Sequence, residues 1–158
     1  MAEKIVLLEH DKSDWGPGPW QYEEDRIEWR HKGLPCLMVR NHQGNWCGYV
    51  GITKENPFFE KDYDKVDVEV HGGLTYSDKC GGHICHTPKP GEDGNVWWLG
   101  FDCGHAWDAS PGMDAQLNKM SPGLHNSRSF HLDQTYKDVA YVTKEVNQLA
   151  DQLIAGAA

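Results

Sequence analysis

The sequence predicts an α+β fold in which a mainly antiparallel sheet with long loops is covered by one C-terminal helix. Short apolar or alternating runs, bounded by Gly, Pro, Asn and Asp, fill most of the chain as far as residue 101, as short strands separated by turns do. The C-terminal residues instead repeat apolar side chains every three or four positions, the period of a helix with one buried face. Strands followed by a terminal helix are typical of an α+β domain.

The N-terminal segment is expected to differ from the rest of the chain. Residues 1–33 are predicted to form an arm of the domain, and residues 34–158 the single α+β domain. The Gly-Pro-Gly-Pro stretch between Trp15 and Trp20 is incompatible with regular structure, and residues 11–33 show no steady period. The apolar run at residues 5–8 is too short for a signal peptide or a membrane span, so we expect neither.

Two strands are predicted to form a β-hairpin, and a third to be buried. Residues 34–40 and 46–52 are largely apolar, and the residues between them include the Asn and Gly typical of turns. Residues 96–101 carry almost no polar side chains, so we expect this strand to be covered on both faces. One face carries Trp97, Leu99 and Phe101, and the other carries Val96, Trp98 and Gly100.

Alternation predicts a further strand at residues 66–71. Its valines would face the core, and Asp67, Glu69 and His71 would lie on the opposite side. Residues 74–77 are predicted to begin another strand after the Gly72-Gly73 break. Residues 78–95 and 109–132 are expected to be long loops, because they are polar and rich in Gly and Pro.

The C-terminal helix is predicted over about residues 135–154. Thr135 followed three positions later by Asp138 resembles a capping box, with Thr135 as the N-cap. The apolar face of this helix is expected to pack on the sheet. It consists of Tyr136, Val139, Val142, Val146, Leu149, Ala150 and Leu153.

Charge and cysteine content restrict the function. The formal net charge of −9 argues against direct binding of nucleic acid, which requires clusters of Lys and Arg. Five cysteines without a secretory signal indicate reduced thiols and a cytoplasmic protein. A zinc site would need more regular spacing than the cluster at residues 80–86 offers. The roles of its members therefore stay open: Cys80, His83, Cys85 and His86.

The candidate site lies just after the buried strand. Asp102, His105 and Asp108 follow that strand at three-residue intervals, and His71 ends the alternating segment, so adjacent strands would bring them to one edge. Imidazoles and carboxylates bind Zn²⁺ and Mn²⁺ and leave a position for water. The predicted metal ligands are His71, Asp102, His105 and Asp108.

The same cluster also permits catalysis without a metal. His105, oriented by Asp102 or Asp108, would act as a general base, and the predicted catalytic residues are His71, His105 and Asp108. The alternative interpretation is structural. In that case the carboxylates cap turns, and the imidazoles hydrogen-bond to buried backbone.

Glycines and aromatic residues beside this cluster are predicted to bind a ligand. The backbone at Gly72 and Gly73 can approach an anion closely, although a plain turn explains these residues equally well. Tyr76, Trp46 and Trp107 are predicted to stack on a planar group such as a nucleobase. The candidate phosphate contacts are Arg26, Arg40 and Arg128.

A family resemblance rests on three motifs that occur in order along the chain. They are W-C-G-Y-V from Trp46, H-G-G-L-T-Y from His71, and G-F-D-C-G-H-A-W-D ending at Asp108. The chain resembles a family of uncharacterised small proteins of bacteriophages and their bacterial hosts, over about residues 26–153. In this family Cys or Thr occupies the position of Cys103, which argues against Cys103 as a ligand. The resemblance implies a phage setting, in which a protein interferes with host defence or nucleotide metabolism.

The sequence therefore predicts a small cytoplasmic protein, in a host cytoplasm if it is phage-encoded. One hypothesis is a metal-dependent hydrolase of a nucleotide-like or phosphorylated small molecule. The other is a non-catalytic protein that sequesters a nucleotide-type signal or inhibits a host defence protein. A small-molecule ligand is the expected partner, no membrane is expected, and a host protein or a second copy of the chain stays open as a partner.

Overall fold

The computed structural model describes residues 10–120 and 134–157 and confirms the α+β class. A five-stranded antiparallel sheet has the spatial order β1-β2-β3-β5-β4. Helix α2 packs on one face of β2 and β3. The elements are β1 (Arg26–His31), β2 (Leu34–Arg40), β3 (Trp46–Ile52), β4 (Tyr76–Lys79), β5 (Trp97–Asp102), α1 (Pro111–Met120) and α2 (Val139–Ala155), with short 3₁₀ turns at Pro19–Gln21 and Tyr63–Lys65.

The predicted hairpin of β2 and β3 is confirmed. Leu37 lies opposite Tyr49, and Arg40 opposite Trp46, in an antiparallel register. The turn is closed by Asn41, whose side-chain oxygen accepts hydrogen bonds from the backbone N–H groups of Gln43 and Asn45, each at 3.0 Å. Such Asx hydrogen bonds are the reason that Asn is common in turns.

Strand β5 is covered on both faces, as the sequence predicts. Leu99 and Phe101 belong to the core beneath α2, whereas Trp98 packs with Leu37 on the other face of the sheet. Helix α2 approaches the sheet closely at Gly48, where a Cβ would lie 2.6 Å from a Val146 methyl carbon. The sheet therefore has two cores, and α2 covers the larger one.

Helix α2 is confirmed, but the predicted N-cap is wrong. Asp138 is the cap, because its carboxylate accepts a hydrogen bond from the backbone N–H of Tyr141 at 2.9 Å. Thr135 is instead extended. Its N–H donates to the carbonyl of Trp107 and its own carbonyl accepts from Ala109. This short pairing delays the start of the helix and places the preceding residues beside the candidate site.

Two segments that were expected to be irregular contain regular structure. The predicted arm includes β1, the edge strand beside β2; Ile27 and Trp29 face the α2 core, while the charged residues alternate with them. The predicted loop at 109–132 begins with α1, whose first N–H groups, at Gly112 and Met113, donate to the carbonyl of Gln43. This helix buries only Pro111, so its sequence has no apolar stripe to reveal it. Residues 121–133 lie outside the described residues.

The strand predicted at residues 66–71 is wrong, because this segment forms no strand of the described sheet. Val66 is buried and Asp67 and Glu69 are exposed, as alternation predicts. The backbone of Glu69 is paired by the side-chain amide of Gln152 on α2, at 2.7 and 2.8 Å, in place of a neighbouring strand. His71, at the end of the segment, is buried.

The expectation of five reduced thiols is also wrong. Cys80 and Cys85 form a disulfide, so their sulfurs are not free to bind zinc in this state. Cys36, Cys47 and Cys103 are free cysteines. Among the described residues, no helix is both long and apolar enough to cross a membrane.

Candidate metal centre

Asp108 is the centre of the candidate site. It is 1% exposed, and one of its oxygens, Oδ2, receives three donors. His71 Nε2 lies 2.9 Å away, and the ring Nδ1 and the backbone N–H of His105 each lie 3.0 Å away. Since a carboxylate oxygen offers about two lone pairs, three donors crowd this single atom. The two imidazoles thus converge on one point.

The Gly72-Gly73 turn places His71 in this centre. Both glycines have positive φ, +69° and +81°, and Gly73 N–H donates to the carbonyl of Val70 at 2.9 Å. A Cβ at Gly72 would lie 2.2 Å from Cε1 and 2.3 Å from Nε2 of His105. Gly72 is therefore required for the close packing of the two histidines as well as for the turn.

Tyr141 fixes the orientation of His71. Its hydroxyl lies 2.8 Å from His71 Nδ1, and the two rings meet edge to face. When Nε2–H of a neutral His71 donates a hydrogen bond to Asp108, Nδ1 accepts a hydrogen bond from the tyrosine hydroxyl. Tyr141 stands on the first turn of α2, so the Asp138 cap that begins the helix also positions this contact.

Lys137 brings a positive charge to the same carboxylate. Its ammonium forms an ion pair with Asp108 Oδ1 at 3.1 Å, although the angle falls short of a good hydrogen bond. The Lys137 side chain is only 11% exposed and also donates to the hydroxyl and the carbonyl of Thr135. Asp108 therefore has a cationic partner even without a metal.

The balance of these contacts lowers the pKa of Asp108. Burial raises the pKa, but the hydrogen bonds from His71 and from the backbone and ring of His105, together with the Lys137 ammonium, outweigh it. The carboxylate is consequently ionised at neutral pH. An ionised carboxylate beside two imidazoles is a chemically suitable set of ligands for Zn²⁺ or Mn²⁺.

The side chains of His71, His105 and Asp108 are close enough together to bind one metal ion. One ligand atom from each of His71, His105 and Asp108 lies within 4.8 Å of the others, so this group could hold a metal. Asp102, the fourth predicted ligand, lies outside the group; its Oδ1 is 3.9 Å from His105 Nε2. Tyr141 and Asp102 thus stand at the outward nitrogens of the two histidines, where metal-binding imidazoles commonly have an oxygen partner.

The predicted aromatic ligand contacts are separated by the fold. Trp107 is 49% exposed and stacks on His105 with ring centroids 4.7 Å apart, so it lies beside the centre. Trp46 is fully buried under the guanidinium of Arg40, which corrects the expectation that it faces a ligand. Tyr76 packs against Tyr49 on the sheet face away from α2.

The two candidate phosphate contacts that the structure describes are occupied by protein partners. Arg40 is fully buried and paired with Glu23 and Asp25. Arg26 donates to Glu28 and to the carbonyl of Cys85. Arg128 lies outside the described residues.

Sequence reasoning missed Tyr141 and Lys137. Both flank the helix cap, at a point where the sequence shows only a helix start. A signal was nevertheless present, because Lys137 and Tyr141 are four positions apart, and the Lys137 ammonium lies 5.7 Å from the tyrosine ring centroid.

A groove of about 590 Å³ opens beside His71 along α2, and its lining includes Glu69, Glu145 and Asp151.

Comparison with known proteins adds no relative to this description. No protein-family model matches the chain, and neither a curated protein nor a solved structure does so.

Proposed function

We propose that the protein is a divalent-metal-dependent hydrolase, with His71, His105 and Asp108 as metal ligands and a nucleotide-like or phosphorylated small molecule as substrate. One observation carries the proposal: the two imidazoles converge on a single buried carboxylate oxygen, at 2.9 and 3.0 Å. Zn²⁺ is the first candidate, because it is bound by His and carboxylate ligands in many hydrolases; Mn²⁺ is the second.

The chain supplies distinct roles around such an ion. A bound metal would polarise substrate and lower the pKa of a coordinated water. Asp108 supplies the negative charge. By accepting a hydrogen bond from Nδ1–H, Tyr141 would hold His71 in the tautomer that leaves Nε2 unprotonated. Asp102 Oδ1 lies 3.9 Å from the outward nitrogen of His105, beyond hydrogen-bond distance, and would favour a proton there only through its charge.

Trp107 supports a planar substrate. Its indole is half exposed and lies parallel to His105, with an interplanar angle of 6°. A nucleobase stacked on it would come directly beside the centre. Because Glu69, Glu145 and Asp151 would repel a phosphate, we expect the anionic part of the substrate to avoid the groove along α2.

Metal binding is the first test. The purified protein, stripped with a chelator and dialysed, is titrated with Zn²⁺ and with Mn²⁺ in a calorimeter. We expect one site per chain, weakened at least tenfold by His105→Gln. The matched control is His31→Gln, which alters an imidazole that also contacts an aspartate, at 2.8 Å, but lies on the surface. Equal binding by all three proteins would exclude the proposed ligands.

Turnover is the second test. The metal-loaded protein is incubated with a panel of nucleoside phosphates and sugar phosphates, and products are followed by ³¹P NMR and mass spectrometry. We expect hydrolysis that His71→Gln abolishes and Trp107→Leu reduces for nucleotides more than for sugar phosphates. A metal-loaded protein that leaves the whole panel intact contradicts the substrate class.

Sequestration is the second candidate, and the Lys137 contact favours it. The ion pair at 3.1 Å gives Asp108 a cation without any metal, so the centre is also compatible with a purely structural role beneath a Trp107 binding face. In that case ligand released by denaturation would be chemically unchanged, and Trp107→Leu would weaken binding while His71→Gln would not.

A further inference from the structure

The disulfide between Cys80 and Cys85 lies in the loop that follows β4, apart from the metal centre. It joins the arms of a small hairpin in which Gly81 and Ile84 exchange both backbone hydrogen bonds, each at 3.1 Å. The two Cα atoms are 4.8 Å apart. Because the hairpin already holds the cysteines together, and a cross-link over so few residues restricts the unfolded chain little, the disulfide contributes little as a staple.

The two sulfurs differ in their surroundings. Cys80 is an exposed residue, so it is the more accessible member of the pair for an attacking thiolate. Cys85 is partly buried, and its carbonyl accepts a hydrogen bond from Arg26 Nη2 at 2.6 Å. This asymmetry selects Cys80 as the point of attack and Cys85 as the leaving sulfur.

Arg26, which binds the Cys85 carbonyl through Nη2, has an unused donor at Nη1. Its Nη2 also donates to Glu28 at 2.8 Å, whereas its Nη1 is buried and has no hydrogen-bond partner in the part of the chain that the structure describes. A buried cationic donor without an acceptor is costly. A thiolate at Cys85 would provide a negatively charged acceptor for this guanidinium, which would lower the pKa of the thiol and make it a better leaving group.

The remaining thiols do not compete with this pair. Burial raises the pKa of Cys36 to about 12 and that of Cys47 to about 11. Burial also raises the pKa of Cys103. Since the thiolate is the reactive form, these three cysteines stay unreactive at neutral pH.

We propose that Cys80–Cys85 is a reversible redox centre that exchanges two electrons with dithiol reductants, and that Arg26 promotes the exchange. One thiolate of the dithiol attacks Cys80, and the electron pair of the broken S–S bond goes to Cys85, which leaves as a thiolate. The second thiol of the reductant, after losing its proton, then attacks the mixed disulfide and releases Cys80. The protein gains two thiols, and the reductant becomes an internal disulfide.

The rate of reduction tests the role of Arg26. The folded protein is treated with dithiothreitol, quenched with an alkylating agent and analysed by mass spectrometry. We expect reduction without unfolding, slowed at least about threefold by Arg26→Gln because the leaving thiol becomes more basic. Arg30→Gln is the matched control, since Arg30 is on the same strand and contacts the same loop through Glu92 at 2.6 Å. Reduction only on unfolding, or equal rates in all three proteins, overturns the proposal.

Two measurements keep the proposal testable if Arg26→Gln folds poorly. After brief treatment with glutathione and an acid quench, the mixed disulfide is expected at Cys80; mapping it to Cys85 would reject the assigned direction. In Cys80→Ser, the pH dependence of alkylation reports on Cys85 alone. A Cys85 pKa below the usual value for a thiol, about 8.5, supports the role of Arg26, whereas an ordinary or raised pKa overturns it.

Discussion

Two His–Asp–Lys clusters of nearly equal geometry lie in opposite environments. In the candidate metal centre, Asp108 Oδ2 is 2.9 Å from His71 Nε2, and Asp108 Oδ1 is 3.1 Å from Lys137 Nζ. The side chains of these three residues are 5%, 0% and 11% exposed in the order His71, Asp108, Lys137. This cluster is therefore almost entirely withdrawn from water.

The second cluster joins β1 to α2 on the surface. Asp151 Oδ1 lies 2.8 Å from His31 Nε2 and 3.0 Å from Lys32 Nζ, but Asp151 is 44% and Lys32 is 62% exposed. Distances alone do not distinguish it from the centre at Asp108. Water and salt screen the surface charges, whereas a buried carboxylate depends on its protein partners. This difference in burial predicts that the cluster at Asp108 contributes more to the free energy of unfolding than the cluster at Asp151.

Replacing the two aspartates gives the largest expected contrast. Asp108→Asn leaves the donors of His71 and His105, and the Lys137 ammonium, without a charged partner in a buried site. We expect the free energy of unfolding to fall by about 3 kcal/mol or more, measured by urea denaturation without added metal. Asp151→Asn is the matched control and should leave the urea midpoint unchanged within error. Similar losses in both variants would show that burial does not separate the clusters.

The pH dependence of stability should show the same contrast. The pKa of Asp108 is lowered in the folded protein, so its contribution is present above the unfolded pKa of about 3.9 and is lost as pH falls through the folded value. The stability difference between the wild type and Asp108→Asn should therefore shrink as pH falls below about 4. A difference that stays constant from pH 6 to pH 3 would contradict the ionised carboxylate.

Removing the lysine charges separates the two roles of the centre. Lys137→Met keeps the length of the side chain but leaves Asp108 Oδ1 unpaired, and we expect a loss of about 1–3 kcal/mol in the absence of metal. If the centre binds a divalent ion, the same change removes a repulsive charge and should tighten Zn²⁺ binding by roughly tenfold. Lys32→Met should change neither quantity. Calorimetric titration that shows weaker binding in Lys137→Met would oppose a metal at Asp108.

The sequence predicted the parts of the fold that patterns encode locally. The hairpin of β2 and β3, the doubly covered β5 and the apolar stripe of α2 follow from runs and periods within single segments. Helix α1 could not be predicted in this way, because it is held by backbone contacts to Gln43 and buries only Pro111. Residues 66–71 have the alternation of a strand, but Gln152, a distant residue, provides their hydrogen bonds.

For the candidate site, the sequence indicated the residue types but not their arrangement. His71, His105 and Asp108 meet as expected, yet Asp102 stays outside the group because Gly104 N–H and Thr75 bind its oxygens. Trp46 was expected to face a ligand, but it is fully buried beneath the guanidinium of Arg40, which lies 4.3 Å from the ring centroid. Long-range charge pairing of this kind leaves no period in a sequence.

The smallest expected effect comes from Tyr141, and it discriminates best between a structural cluster and a metal centre. Tyr141→Phe removes the hydroxyl that lies 2.8 Å from His71 Nδ1 and keeps the ring. Because Tyr141 is partly exposed, water can replace the lost partner, and we expect stability to fall by no more than about 1 kcal/mol. Metal affinity should nevertheless fall about tenfold, since the hydroxyl fixes the ring orientation and the tautomer needed for ligation. Unchanged Zn²⁺ affinity in Tyr141→Phe, with wild-type stability, would mean that the Tyr141 contact only packs the helix against His71 and does not serve a metal.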